Sequence, residues 1–362
     1  MKKVLALVLA FCMIFAFTAC GSKETPAPAQ NSGTSAPAQT GGNTPAAPAA
    51  TSSDKTMDPI TIKMAMTLEE TNSQYICVKK FCESVTEATD GNIKFEFYPN
   101  GLLGSQADVV EMVNQGAPIL SIFSTGYYTD YDADFGIING PYLYKNWRQE
   151  LAVGTTDWYS EKTDKLASES NLRILTLFYT GTRHLLSTKP VQQPSDIKGM
   201  KVRFPGDVIY SELWKAFGGA PVQLAWGEVY QGLQQGVVEA AEAPLSTMFN
   251  SSLQEVAKNL TLTGHIMCAD TICLSESTWQ QIPAEYQAVI SELAYKAAYG
   301  FGEEQESGDA GFVQKFKDAG CNVYEVNTEE FAKIAVNMYP NMTQYSDGLV
   351  DNYKAMLETL SY

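Results

Sequence analysis

Between Ile60 and Phe123 the chain switches back and forth between two hydrophobic periods, and few folds accommodate that pattern. Ile60–Met66 alternates apolar and polar side chains, as a half-buried strand does. Asn72–Thr89 places Tyr75, Val78, Phe81 and Val85 at helical spacing and stops at Asp90-Gly91. Ile93–Tyr98 alternates again and ends at Pro99-Asn100-Gly101. Ser105–Gln115 returns to a helical pattern closed by Gly116, and Ile119–Phe123 is a short apolar run. A β-α-β-α-β order predicts a parallel sheet with helices on its faces.

The same grammar then starts again. After a helical region around Arg148–Glu169, the spacing predicts strands at Leu172–Tyr179, Arg183–Ser187 and Met200–Phe204. A helix over Val208–Phe217, an extended Pro221–Leu224, a helix over Gly227–Gln235 and a strand at Val237–Ala241 follow. One more strand is expected at Ile266–Ser275, then a helical run from Pro283 to about Ala319, far longer than an ordinary domain helix. Asn322–Val326 is extended and the rest helical. The expected fold is α/β, with two lobes, crossing connections and a long helix over both. Such a shape opens and closes on a cleft. The expected lobes are 57–180 with about 266–310, and 181–265 with about 311–362.

The N-terminus sets the expected compartment. Met1-Lys2-Lys3, an apolar run Val4–Phe17 and Thr18-Ala19-Cys20-Gly21 have the parts of a secretory signal over residues 1–19. The Cys after a small residue resembles a lipobox, so Cys20 is the expected lipidation site, giving a lipoprotein anchored on the outer side of the cytoplasmic membrane. Residues 20–56 are rich in Ala, Pro, Thr, Ser and Gly, a composition that cannot build a core and reads as a disordered tether. With 25 basic and 41 acidic residues the net charge is −16, and loss of Lys2 and Lys3 would take it to −18. That balance argues against nucleic acid and anionic membrane surfaces as partners. Apart from Cys12 and Cys20, five Cys remain, without zinc spacing; mostly buried free thiols are expected.

No catalytic motif competes for attention. The two His, His184 and His265, lack an HExxH context, and there is no GxSxG, GxxxxGK[ST] or GxGxxG signal. No cofactor is expected. Arg183 and Arg203 instead stand on separate extended segments 20 residues apart, followed by Trp226 at the mouth of an amphipathic helix. Two guanidinium groups for a planar carboxylate and a flat apolar wall would make an anion-binding cleft. In Gly199–Pro205, Lys201, Arg203 and Pro205 share one face of the strand while Met200, Val202 and Phe204 share the other. Gly181, just before Arg183, allows a sharp turn into a crossing segment.

Four segments in order resemble one family: Phe95-Glu-Phe-Tyr-Pro-Asn-Gly-Leu-Leu-Gly-Ser105, Gly181-Thr-Arg-His184, Pro194-Ser-Asp-Ile-Lys-Gly-Met-Lys-Val-Arg-Phe-Pro205 and Gly227-Glu-Val-Tyr-Gln-Gly-Leu-Gln-Gln-Gly-Val-Val-Glu239. The resemblance, over roughly Pro59–Met356, is to the substrate-binding proteins of tripartite ATP-independent periplasmic (TRAP) transporters, the DctP type. It implies an α/β, two-lobed, periplasmic-binding-protein-like fold with crossing strands and a long helix spanning both lobes, and a monomeric extracytoplasmic receptor, not an enzyme, that passes a small organic acid to a membrane permease. It assigns Arg203 to the ligand carboxylate, Arg183 as a second arginine, Trp226 as an aromatic against the ligand, and Thr67 with Ser124 or Thr125 to the ligand's polar end. A sensor feeding a signalling partner stays open as an alternative.

One departure bears on the ligand. Glu239-Ala-Ala-Glu-Ala-Pro244 stands where the family often reads Asp-Gly-x-Glu-Asn-Pro, so Ala243 replaces a ligand-bonding amide. That argues against sialic acid and small C4-dicarboxylates, which remain the alternative ligands. Trp226, larger than the common Phe, points to a monocarboxylate with a flat or ring-shaped body: a sugar acid of uronate or aldonate type, or an aromatic acid.

Overall fold

The computed structural model describes residues 58–362. The expected signal segment, Cys20 and the linker to residue 56 lie outside the described residues. Nine strands form one sheet: β1 (Ile60–Ala65), β2 (Ile93–Tyr98), β3 (Ile119–Ser124), β4 (Leu172–Ser187), β5 (Lys201–Phe204), β6 (Ala220–Gln223), β7 (Ala240–Pro244), β8 (Asn259–Ser275) and β9 (Asn322–Glu325). Their order is β2-β1-β3-β8-β4-β7-β5-β6, with β9 beside β8. β1 lies parallel to β2 and β3, and β5 parallel to β6 and β7. The long central strands β4 and β8 run antiparallel to each other and through both parallel blocks. The molecule is therefore two α/β lobes sharing two crossing strands, as the alternating periods predict.

Each block is buried on both faces, which is why its strands need helices on two sides. Helix Ser73–Ala88 and the first half of the long helix cover one face of the first block, around Met64, Val78, Phe81, Ile122 and Phe301. Gln106–Asn114 and Asp157–Ser170 cover the other, around Val110, Val113, Phe123 and Leu166. In the second block Val208–Ala216 and Thr328–Ala335 pack with Val202, Leu213 and Phe331. Val229–Gln234 and Leu245–Asn250 pack opposite them, with Val229, Leu245 and Phe316. The helix starts are chemical: the side chains of Asn72, Ser105, Thr156 and Asp207 each accept from a backbone N–H of the first turn.

The long helix, Ala284–Asp318, has 35 residues and so spans about 52 Å at the usual rise per residue. Its Ile290, Ala294, Ala298 and Phe301 belong to the first core and its Phe316 to the second. Between them, Gln305 accepts a 2.8 Å bond from Ser246. The terminal helix Leu349–Leu357 returns to the first block, where Leu349, Tyr353 and Leu357 are buried. The five described cysteines are unpaired, and four of them are buried.

Three expectations need correction. Leu172–Tyr179 and Arg183–Ser187 are one strand, β4, continued through Gly181 by pairing with β8. The strand expected at Val237–Ala241 lies at Ala240–Pro244; small residues with little strand preference are held there by the β4 ladder, a case of pairing overriding propensity. β8 begins at Asn259, seven residues before the expected start: Leu260-Thr-Leu-Thr263 alternates as a strand does, but Gly264 and a register shift separate it from Ile266.

Gly181 marks where β4 leaves one lobe for the other. Its φ is +123°, and a Cβ there would come within 2.8 Å of Pro244 Cβ. Gly181→Ala should therefore destabilise the protein by ~1–3 kcal/mol in urea unfolding. An unchanged midpoint would show that the crossing strand relaxes freely at this point.

Candidate functional site

In parallel α/β units, ligands collect where strands end at their carboxyl edges. Both blocks aim those ends at one cavity of about 360 Å³. From the first block come Met66 and Thr67 after β1, and Ser124 at the end of β3. From the second come Arg203 and Pro205 at the end of β5, Ala225 and Trp226 after β6, and Ala243 and Pro244 of β7. Thr180, Arg183 and Asp270 enter from the crossing strands. Thr67, Ser124, Arg183, Arg203, Trp226 and Ala243 thus line one space. Thr125 does not: it is fully buried, and its hydroxyl accepts a 2.7 Å bond from Asn139 Nδ2.

The lobes touch around this space. Tyr127, just after β3, donates from its hydroxyl to Pro205 O at 3.3 Å. Gly126 lies against the carboxyl of Asp207, so closely that a Cβ would fall 1.8 Å from Asp207 Oδ2. Trp226 packs against cores of both blocks and donates from its indole N–H to Ser251 Oγ at 3.2 Å.

The two arginines differ in what they have left to offer. Arg183 meets Glu242 bidentately through Nε and Nη2, the latter at 2.8 Å from Oε1. Nη2 also donates to Glu242 O at 3.0 Å, and the guanidinium lies 4.9 Å from the Tyr210 ring centroid. Burial alone would lower its pKa, but Glu242 reverses the sign and holds Arg183 well above its usual value. Burial alone would raise Glu242, yet Arg183 and the hydrogen bonds bring it down to about 2. This is a self-contained pair with only Nη1 remaining, in weak contact with Cys268 Sγ at 3.5 Å. The expectation of two free forks is corrected: one fork is already filled.

Arg203 has no such partner. It is 3% exposed and forms no ion pair among the described residues. Nε donates to Leu224 O at 3.0 Å, which fixes the plane of the group, and the guanidinium carbon sits 5.3 Å from the Trp226 ring centroid. Its two terminal nitrogens have no protein acceptor among the described residues. Burial lowers its pKa to about 10, Glu242 opposing and Arg183 adding to that shift, so it stays charged at neutral pH. Trp226 is consequently a seat for the cation as well as a wall of the cavity.

The two histidines near the site are structural, and two buried acids stand beside them. His184 Nδ1 accepts from Gly264 N at 3.0 Å, and burial pulls its pKa down to about 3. His265 is also buried, between Thr263 Oγ1 at 2.7 Å and Glu242 Oε2 at 3.3 Å. Burial pushes Asp270 up to about 6 and Asp207 up to about 7. Glu242, Asp207 and Asp270 were missed in the sequence. A lone acid in a run of small or apolar strand residues, as in Ala240-Ala-Glu-Ala243 and Cys268-Ala-Asp-Thr-Ile272, was the available signal, because such a charge needs a buried partner.

Asp207 makes a pH prediction. Its carboxyl titrates near 3.8 unfolded and about 7 folded, so the stability it confers is complete at low pH and lost as pH rises through that window. Asp207→Asn can keep the helix cap but cannot ionise, so near pH 8 it should be ~1–3 kcal/mol more stable than wild type, the gap closing towards about pH 4. Denaturant titrations across pH check this; a gap independent of pH would contradict it.

Comparison with known proteins agrees with this geometry. The family model for bacterial extracellular solute-binding proteins, family 7 (DctP), matches residues 64–347. A solute-binding protein of Sulfitobacter sp. (strain NAS-14.1) is 34% identical over 245 residues, 67% of this chain and 74% of its own. The crystal structure of a TRAP periplasmic solute-binding protein from Ochrobacterium anthropi, with bound L-fuconate, superposes with a TM-score of 0.79 at 29% identity, covering 83% of this chain and 99% of that one. One from Actinobacillus succinogenes 130z, with bound L-galactonate, gives 0.79 at 29% identity, covering 83% and 100%. The chain thus belongs to the DctP family of extracytoplasmic solute-binding proteins that serve TRAP transporters.

Proposed function

We propose that this protein binds a sugar acid, an aldonate or uronate, in the interlobe cavity and hands it unchanged to a TRAP-type permease. The observation that carries the reading is Arg203: a buried cation in the cavity lining, held flat by Leu224 O and Trp226, with no carboxylate partner among the described residues. A ligand carboxylate is the planar anion that matches such a fork. Thr67, Gln74, Asn100, Ser124, Tyr127 and Thr247 supply hydroxyl and amide groups around it, suited to a polyhydroxy body. Ala243 in place of an amide leaves room for that body, and Trp226 flanks it. The similar proteins bound to L-fuconate and L-galactonate support this ligand class. Closure would pivot near Gly181 in β4 and near residue 265 in β8, the boundary between the lobes. The receptor would act as a monomer and perform no chemistry on its ligand.

Affinity follows from few contacts. Charge-assisted hydrogen bonds to a desolvated carboxylate contribute about 1.5–3 kcal/mol each, and micromolar binding needs about 8 kcal/mol. Two bonds from Arg203 with several hydroxyl contacts reach that range.

A thermal-shift panel of aldonates, uronates, sialic acid, C4-dicarboxylates, aromatic monocarboxylates and a phosphate monoester identifies the class, because a ligand of the native state raises the melting temperature. Sugar acids should give the largest shifts; a shift confined to another class would overturn the reading. Isothermal titration should then show Arg203→Lys losing at least ~10-fold in affinity and Arg203→Ala more. Near wild-type binding by either variant would remove Arg203 from the ligand site.

The Thr18-Ala19-Cys20-Gly21 sequence supports lipid tethering at Cys20. Cells expressing Cys20→Ser should release the protein from the membrane fraction, whereas an unchanged distribution would speak for an untethered receptor.

A further inference from the structure

The cavity holds an acid as well as a cation, and the acid forms no ion pair among the described residues. Asp270 lies on β8, opposite Ser124 of β3 and Phe178 of β4 in the ladder, and its side chain lines the cavity. Its Oδ2 accepts from Gln74 Nε2 at 3.3 Å, and its Oδ1 meets only the Cys268 thiol, at 3.8 Å. A carboxylate has about four acceptor positions. One amide and one weak thiol leave Asp270, a residue of the cavity lining, with spare acceptor capacity. The Arg183–Glu242 pair is internally neutral. What remains for a ligand to satisfy is one positive group, Arg203, and one under-bonded acid, Asp270.

Resting on the sugar-acid reading, we propose that Asp270 is a specificity-determining residue: it accepts hydrogen bonds from the ligand's hydroxyl groups and repels a second carboxylate, so that the receptor takes polyhydroxy monocarboxylates and rejects the corresponding dicarboxylates. The physics is a difference of affinities. A hydroxyl donor meets an unfilled acceptor, which a site built to hydrogen-bond rewards strongly. A second carboxylate would instead place like charges together away from water, where their repulsion is weakly screened. Arg203 sets the requirement for one carboxylate; Asp270 limits the number to one. A ligand ammonium is the other donor that could meet Asp270, and an amino-substituted sugar acid tests for it.

The experiment is isothermal titration of the intact protein and its Asp270→Asn variant with L-galactonate, with galactarate (the same carbon chain oxidised at both ends) and with an amino-substituted aldonate. The wild type should bind L-galactonate at least ~30-fold more tightly than galactarate. Asp270→Asn should weaken L-galactonate about 10-fold and bring the two acids within ~3-fold of each other, since the amide keeps shape but loses charge. A wild type that binds galactarate as well as L-galactonate overturns the inference without any variant, and so does an Asp270→Asn variant with unchanged discrimination. Tighter binding of the amino acid form than of L-galactonate would reassign Asp270 to an ammonium and overturn the hydroxyl assignment. If no sugar acid binds the wild type, the sugar-acid reading falls and this inference with it; binding with unaltered ratios removes this inference alone.

Discussion

A guanidinium group kept out of water without a counter-ion is costly, and the architecture around Arg203 is organised to hold one. The cost of desolvating a cation is recovered only by an anion of matching geometry. Nearby Glu242 is committed elsewhere, with its oxygens on Arg183 and His265. Arg183 is best understood as the group that keeps Glu242 occupied. On the proposed reading, a free Glu242 would compete with an external acid for Arg203, whose charge it already favours. The burial that depresses Arg203 towards about 10 also strengthens any bond it makes to a carboxylate.

The fold delivers that cation to the right place. Arg203 is the third residue of β5, a strand of only four, so its side chain lies near the carboxyl edge of the second block. The first block brings Thr67 and Ser124 to the same cavity, and two crossing strands and one 35-residue helix tie the blocks together. Tyr127 on Pro205 and Gly126 on Asp207 join the two lobes beside the cavity.

Much of this was legible in the residues. Period changes located the first block's strands and helices because Asn72, Ser105 and the glycines after each helix mark the ends chemically. The long helix was visible because no proline falls between Pro283 and Ala319, although four glycines do. What escaped had its cause in pairing rather than in local sequence. Ala240–Pro244 is a strand because β4 runs beside it, and β4 is continuous because β8 spans the gap at Gly181. The site followed the same divide. Arg203 and Arg183 stood out as cations beside strand ends, but that one is neutralised and the other free depends on Glu242, whose partner lies 59 residues away in sequence. Thr125 and Ser124 were equivalent on paper, and only the turn after β3 sends Thr125 inward to Asn139.

The account stands or falls on where the ligand's carboxylate lies. A crystal structure of the protein with a bound sugar acid measures this directly. The expected result is a carboxylate within about 3 Å of both terminal nitrogens of Arg203, with the Arg183–Glu242 pair intact. A carboxylate held elsewhere in the cavity, or an Arg203 turned onto Glu242 in the complex, would contradict it.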